Sequence, residues 1–277
     1  MSNPNGSFKS PRRDWLELFA RRMPVLFCTG LLAAQGCASH EAPSAAPPPA
    51  PNQTTAAPAQ ATLLEEHEKA FKAAAAAPPM PFDGEGWQRL FDGSTLSGWS
   101  ETKFSGHGEV EVHDGLILMK MGDPFTGINW TNDFPKMNYE IALDAMRVGG
   151  SDFFCGLTVP VGDSFCSLIV GGWGGALVGI SSLDGMDASE NETTKYENFV
   201  QNRWYRIRLR VTQDRLEAWL DREKLIDVVT TGKRISLRPG EIEESRPLGL
   251  ACWQTTAAAR QIQFRRVEQA ADKPKKF

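Results

Sequence analysis

Two stretches of this 277-residue chain hold side chains whose types and spacing can do chemistry. The first is Gly171-Gly172-Trp173-Gly174-Gly175, which sets a large indole among residues with no side chain to cover it. An uncovered Trp can stack on the apolar face of a pyranose. It can equally pack over a sheet edge, and the sequence leaves both readings open. In the second stretch Asp184, Asp187, Glu190 and Glu192 put four carboxylates within nine residues, with Lys195 just beyond. Such a run is a solvated loop, a set of acceptors for substrate hydroxyls, or an oxygen-rich site for Ca²⁺, which takes about six to eight oxygen ligands. Its spacing fits no EF-hand loop. Asp152 stands apart from both, between Gly149-Gly150-Ser151 and Phe153-Phe154. There a carboxylate either ends a turn or is desolvated by the rings into a general base.

Other reactive types form no pattern. His107 and His113 have no metal-ligand spacing, and the chain has no G-x-S-x-G, Walker loop, dinucleotide-binding fingerprint or C-x-x-C. Of the five cysteines, Cys28 and Cys37 lie near the N-terminus. Cys155 and Cys166 flank a turn at Pro160–Ser164, as cross-strand neighbours in a disulfide or as buried free thiols. Residues 1–37 hold Lys9, Arg12, Arg13, Arg21 and Arg22 against only Asp14 and Glu17, so the rest of the chain is more acidic than the overall net charge of −4. An acidic body argues against nucleic acid as a partner, because that association needs clustered Lys and Arg.

The elements that must position these residues follow from periodicity. Glu109–His113, Asp114-Gly115 and Leu116–Met119 predict a hairpin with a two-residue turn. Tyr139, Ile141, Leu143 and Ala145 alternate with Glu140, Ala142, Asp144 and Met146, and Tyr205–Val211 alternates with Arg206, Arg208 and Arg210. The arginine stripe reads as a solvated strand face. Further short apolar runs between Phe153 and Val267, with no long 3.6-residue period after Pro81, predict an all-β, two-sheet antiparallel sandwich over residues 82–268. A polar tail covers 269–277.

The N-terminus reads as an address. Arg21-Arg22 precedes the apolar run Pro24–Ala34, too short to span a bilayer, and Ala34-Gln35-Gly36-Cys37 resembles a bacterial lipobox. Arg12-Arg13 resembles a twin-arginine export signal. Residues 1–37 are therefore an expected export signal with lipidation at Cys37, and the expected location is the periplasm or the cell surface, held to the membrane by the lipid alone. The Ala- and Pro-rich segment 38–81 is a linker, with one short helix expected at 62–77. Thr62 and Glu65 would cap that helix, Pro78-Pro79 would end it, and it is read as a spacer rather than as docked through Leu64 and Phe71.

Gly86-Trp87-Gln88-Arg89-Leu90-Phe91-Asp92-Gly93-Ser94-Thr95-Leu96-Ser97-Gly98-Trp99 resembles the opening motif of the 3-keto-disaccharide hydrolase family. The hairpin Arg203–Val211 with Leu216–Asp221, and the closing runs Leu248-Gly249-Leu250 and Ile262–Arg265, are similar to those of laminin-G-like and concanavalin A-like jelly rolls. The resemblance implies a glycosidase acting on 3-keto-glycosides. A base removes the proton at C2, the enolate expels the aglycone from C1, and water adds back. For that chemistry the base candidates are Asp152, Asp187 and Glu190, and Lys195 or a loop-bound cation such as Ca²⁺ would stabilise the enolate. Trp173, Asp184 and Glu192 are the candidate sugar-binding residues. The strands at Gly149–Leu157 and Phe165–Ile169 lack an Arg and a Glu that the family tends to carry. A non-catalytic carbohydrate-binding module at the cell surface is therefore the alternative, and a ligand-free surface domain the third. Mass spectrometry of the mature protein checks the anchor: the expected N-terminus is an acylated Cys37, and an unmodified start elsewhere rules it out.

Overall fold

The structure is a computed structural model, describing residues 57–267, with side chains from residue 65. The segment read as an export signal, Cys37, most of the linker and the tail at 269–277 lie outside the described residues. Among those described, one α-helix, α1 (Ala57–Ala76), precedes fifteen strands. In chain order these are β1 (Gln88–Arg89), β2 (Trp99–Glu101), β3 (Val110–His113), β4 (Leu116–Met119), β5 (Phe125–Trp130), β6 (Tyr139–Gly150), β7 (Cys155–Val161), β8 (Ser164–Gly172), β9 (Leu177–Ser181), β10 (Lys195–Tyr196), β11 (Tyr205–Val211), β12 (Arg215–Leu220), β13 (Glu223–Val229), β14 (Gly249–Trp253) and β15 (Thr255–Arg266). Eight form one sheet in the order β13-β12-β11-β6-β15-β4-β3, with β1 also on β15; seven form the other, β10-β9-β8-β7-β14-β5-β2. Every strand pairing is antiparallel.

The two-sheet sandwich expected from the alternation is present. Odd-numbered residues of β6 and β11, such as Ile141, Leu143, Ile207 and Leu209, point inward with Leu157, Leu168 and Leu250 of the facing sheet. Burying side chains of this size contributes about 1.5–3 kcal/mol each and is the main favourable term holding the layers together. The Asp114-Gly115 hairpin has both central residues at positive φ, 53° and 80°, as a two-residue turn matched to strand twist requires. The Leu90–Trp99 motif serves the fold. Asp92 accepts the backbone N–H groups of Ser94 and Thr95, both at 2.7 Å, and the Trp99 indole N–H donates to the Leu90 carbonyl at 2.7 Å.

The helix and the arginine stripe both depart from expectation. The helix begins at Ala57, not 62, because the alanines before Thr62 are strong helix formers. Pro58 falls in the first turn, where its missing N–H leaves no helical bond unmade. Nor is the helix a free spacer. Phe71, Ala74 and Ala75 pack on Leu116, Leu118, Met146, Val148 and Ala258 on the outer face of the eight-stranded sheet. The Trp204 indole N–H donates to the Ala74 carbonyl at 2.8 Å, and Arg260 donates to that of Ala77 at 2.6 Å.

The arginine stripe is the second correction. Register sets Arg210 of β11 and Arg265 of β15 on either side of Glu140, and Arg206 and Arg260 on either side of Asp144. Glu140 is fully buried, with Arg265 at 2.9 Å, Arg208 at 3.1 Å and Arg210 at 3.3 Å. The stripe therefore neutralises acids buried on the neighbouring strand. Alternation along β11 alone cannot reveal that partner. Glu140→Gln is expected to cost about 3 kcal/mol, because it leaves partly buried arginines without their counter-charge. Arg208→Ala should cost less, because Arg210 and Arg265 still counter the buried carboxylate. Urea unfolding of the two variants checks the order.

Candidate functional site

The outer face of the seven-stranded sheet carries a cleft of about 490 Å³. Its floor is made by alternate residues of four strands: Phe125 of β5, Ser167 and Ile169 of β8, Ser181 of β9 and Trp253 of β14. Ile128, Leu168, Ile180 and Leu250, one or three residues away on the same strands, face the core between the sheets. Phe153 joins this floor, whereas Phe154 turns inward against Phe199 and Tyr205. The aromatic floor is interlocked: Phe125 meets Trp253 edge-on at 4.5 Å and stacks on Phe104 at 4.8 Å. Buried Ile242 fixes a turn, Arg238-Pro239-Gly240-Glu241, against the rim.

Trp173 also lines the cleft, is 43% exposed with φ of 50°, and has the Arg238 guanidinium 5.9 Å from its ring centroid. Its loop is held from two sides. Beneath, Arg147 is 6% exposed and donates to the carbonyls of Gly171 at 3.1 Å and Gly175 at 2.8 Å. Burial pushes this guanidinium below its ordinary value, and the nearby Asp152 charge opposes that shift. From the cleft side, Asp152 accepts the N–H of Gly174 at 3.0 Å and that of Phe153 at 2.7 Å. Glycine is required at 175, where φ is 111° and a Cβ would lie 2.7 Å from the Ser151 carbonyl.

The residues singled out in the sequence separate into two groups. Asp152 and Trp173 line the cleft. Asp187 stands just behind it, accepting from the Ser181 hydroxyl and, at 2.8 Å, from the Ala188 N–H, and pairing with Arg238 at 2.8 Å. The others turn away. Asp184 and Glu192 pair with Lys233 at 3.8 and 2.6 Å, Glu190 is exposed outside the cleft, and Lys195 lies exposed on β10 opposite Val178. The acidic loop is thus divided between two cations. Among the described residues no three His, Cys, Asp or Glu side chains converge where a metal ion could be held.

The cysteines are also accounted for. Cys155 lies opposite Val170 and Cys166 opposite Val159, so the hairpin register separates them. Burial pushes the Cys166 and Cys252 thiols up to about 12, and Cys155 is shifted the same way, so none is a ready nucleophile.

Sequence reading missed Phe125, Ser167, Ser181, Arg238, Glu241 and Trp253. The Pro239-Gly240 turn was a visible signal, but nothing local says which wall a turn completes. The floor residues point outward from strands whose inward side chains form the core.

The fold and cleft define a jelly-roll sandwich with an aromatic groove on one outer face. Residues 86–268 match the model of the 3-keto-alpha-glucoside-1,2-lyase-like domain, and the chain belongs to that family. No curated protein matches it. Among solved structures, the chain aligns with a Parabacteroides distasonis protein put forward as a glycosyl hydrolase, at 16% identity over 72% of this chain and 96% of that one, with a TM-score of 0.44. The carbohydrate binding module CBM66 from Bacillus subtilis aligns at 15% identity over 64% and 99%, with a TM-score of 0.44. The Crh5 transglycosylase in complex with NAG aligns at 12% over 70% and 88%, with a TM-score of 0.46.

The glycine loop gives a paired prediction. Gly174→Ala, with open space at its Cβ and φ of 82°, should cost only the left-handed backbone strain of about 1–2 kcal/mol. Gly175→Ala must also displace the Ser151 carbonyl and should cost more. Equal losses in chemical denaturation would mean the loop is not held from below.

Proposed function

We propose that this domain binds a sugar in the outer-sheet cleft and cleaves 3-keto-glycosides there. The observation that carries the reading is the content of one cleft on a domain of this family. It joins an exposed indole and an aromatic floor for the apolar faces of sugar rings to carboxylates and an arginine for their polar edges. In the reaction a cleft carboxylate removes the C2 proton, which the neighbouring 3-keto group makes acidic. The arginine side of the cleft faces the charge that develops on the 3-oxygen. The enolate then re-forms the carbonyl and expels the aglycone from C1, and water adds across the C1–C2 double bond. The proposed setting is outside the cytoplasm, with the chain held at the membrane through Cys37.

A second reading keeps the sugar and omits the reaction. It is favoured by Asp152 and Asp187, whose oxygens are engaged by internal partners.

Both readings place Trp173 against the ligand. Trp173→Ala should weaken binding of a 3-keto-glucoside by about 1–3 kcal/mol, the range for losing one aromatic anchor, with little change in stability. Calorimetry on the folded variant reads the affinity. Turnover by the wild type separates the enzyme from the module: sugar bound and never cleaved supports the module.

A further inference from the structure

The carboxylates at the cleft differ in how fully the protein already uses them. Asp152 has one oxygen on the Phe153 N–H and the other on the Gly174 N–H. Its own backbone is fixed as well, since its N–H donates to the Thr255 hydroxyl and that hydroxyl donates back to its carbonyl, both at 3.1 Å. Asp187 is held on one oxygen by Ser181 and Ala188, and on the other by Arg238. Glu241 differs from both. It lines the cleft, is exposed, and takes a single long bond, 3.2 Å, from the Ser105 N–H to Oε2. It sits three residues from Arg238, across Gly240, as the first residue of a short 3-10 helix, Glu241–Ser245.

A general base must have a lone pair free to meet the proton it takes. Each carboxylate oxygen has two lone pairs, so Asp152 could take a proton without releasing Gly174. Protonation would weaken the bond it accepts there, whereas Glu241 has only the long Ser105 bond to weaken. We propose that Glu241 is the carboxylate that exchanges the C2 proton, and that Asp152 is a positioning residue that holds Trp173 over the cleft through the Gly174 N–H. This division of labour rests on the reading of the cleft as a 3-keto-glycoside site.

The step balances on Glu241 alone. Its oxygen takes the proton from C2, the C–H electron pair becomes the π bond between C2 and C3, and the carbonyl π pair moves onto the 3-oxygen. As the C3 carbonyl re-forms, the C1–O bond breaks and Glu241 passes its proton to the departing oxygen. Glu241 then takes a proton from water as the hydroxyl adds to C1, and returns it to C2. One water is consumed, and the products are the alcohol and the 3-keto sugar. Arg238 lines the same cleft three residues earlier, paired with Asp187 at 2.8 Å, and is the nearest cation to balance the enolate.

The test uses the full chain, a 3-keto-glucoside and three readouts: turnover with deuterium incorporation at C2, sugar affinity by calorimetry, and amide exchange at Gly174. Glu241→Gln should lower both turnover and C2 exchange about 100-fold or more, while affinity stays within about threefold and Gly174 stays protected. Asp152→Ala should speed Gly174 exchange and weaken affinity about tenfold or more, the loss expected when one anchor is mispositioned, yet keep most of the turnover at saturation. In a Trp173→Ala background the affinity penalty of Asp152→Ala should vanish, which a general loss of folding would not produce. Turnover that survives Glu241→Gln overturns the base assignment alone. Turnover abolished by Asp152→Ala with Gly174 still protected makes Asp152 the base. A wild type that binds the sugar but neither exchanges C2 nor cleaves it removes the parent reading and the base assignment together, and the Gly174 readout then judges the Asp152 tether by itself.

Discussion

Strand β6 is the constraint from which both layers take their position. On its outer side Glu140 and Asp144 are buried, and each lies between an arginine of β11 and an arginine of β15. Slipping either neighbour by one residue would turn those arginines into the core and leave two buried acids unpaired. On its inner side the alternation Tyr139, Ile141, Leu143, Ala145 continues to position 147, where the inward residue is an arginine. Arg147 lies 5.3 Å from the Phe154 ring and 5.8 Å from that of Phe199, and it reaches the glycine loop of the other sheet. One strand thus fixes the register of its own sheet and supports the rim of a cleft on the far one.

That arrangement explains a cleft rich in charge with little of it free. A loop that exposes an indole cannot bury apolar surface of its own, so polar contacts must hold it. Two of its carbonyls take Arg147 and one of its N–H groups takes Asp152. The turn at Arg238 uses Asp187 in the same way. Charges that look functional in composition are here largely scaffolding.

Much of this was legible in the sequence. The period of two, the Asp114-Gly115 turn and the opening motif are local signals, and they led to the sandwich and to the family. Trp173 and Asp152 were found because a ring among glycines and a carboxylate beside aromatics are also local. What failed was long-range. The arginine stripe could not disclose Glu140, which stands 70 residues before Arg210. Phe71 could not disclose the sheet that receives it, and Arg238 and Glu241 sit in a turn whose destination depends on how the whole sandwich closes. The acidic run misled because four neighbouring carboxylates suggest one site, whereas the fold directs them apart.

The docked helix gives the sandwich a load path. The chain leaves α1 through Ala77, Met80 and Pro81, whose carbonyls are grasped by Arg260 and Arg206 of the eight-stranded sheet. Tension applied along the N-terminal segment therefore meets those two side chains and Trp204 before it reaches any strand that floors the cleft. The cleft lies on the other sheet, out of line with such a pull.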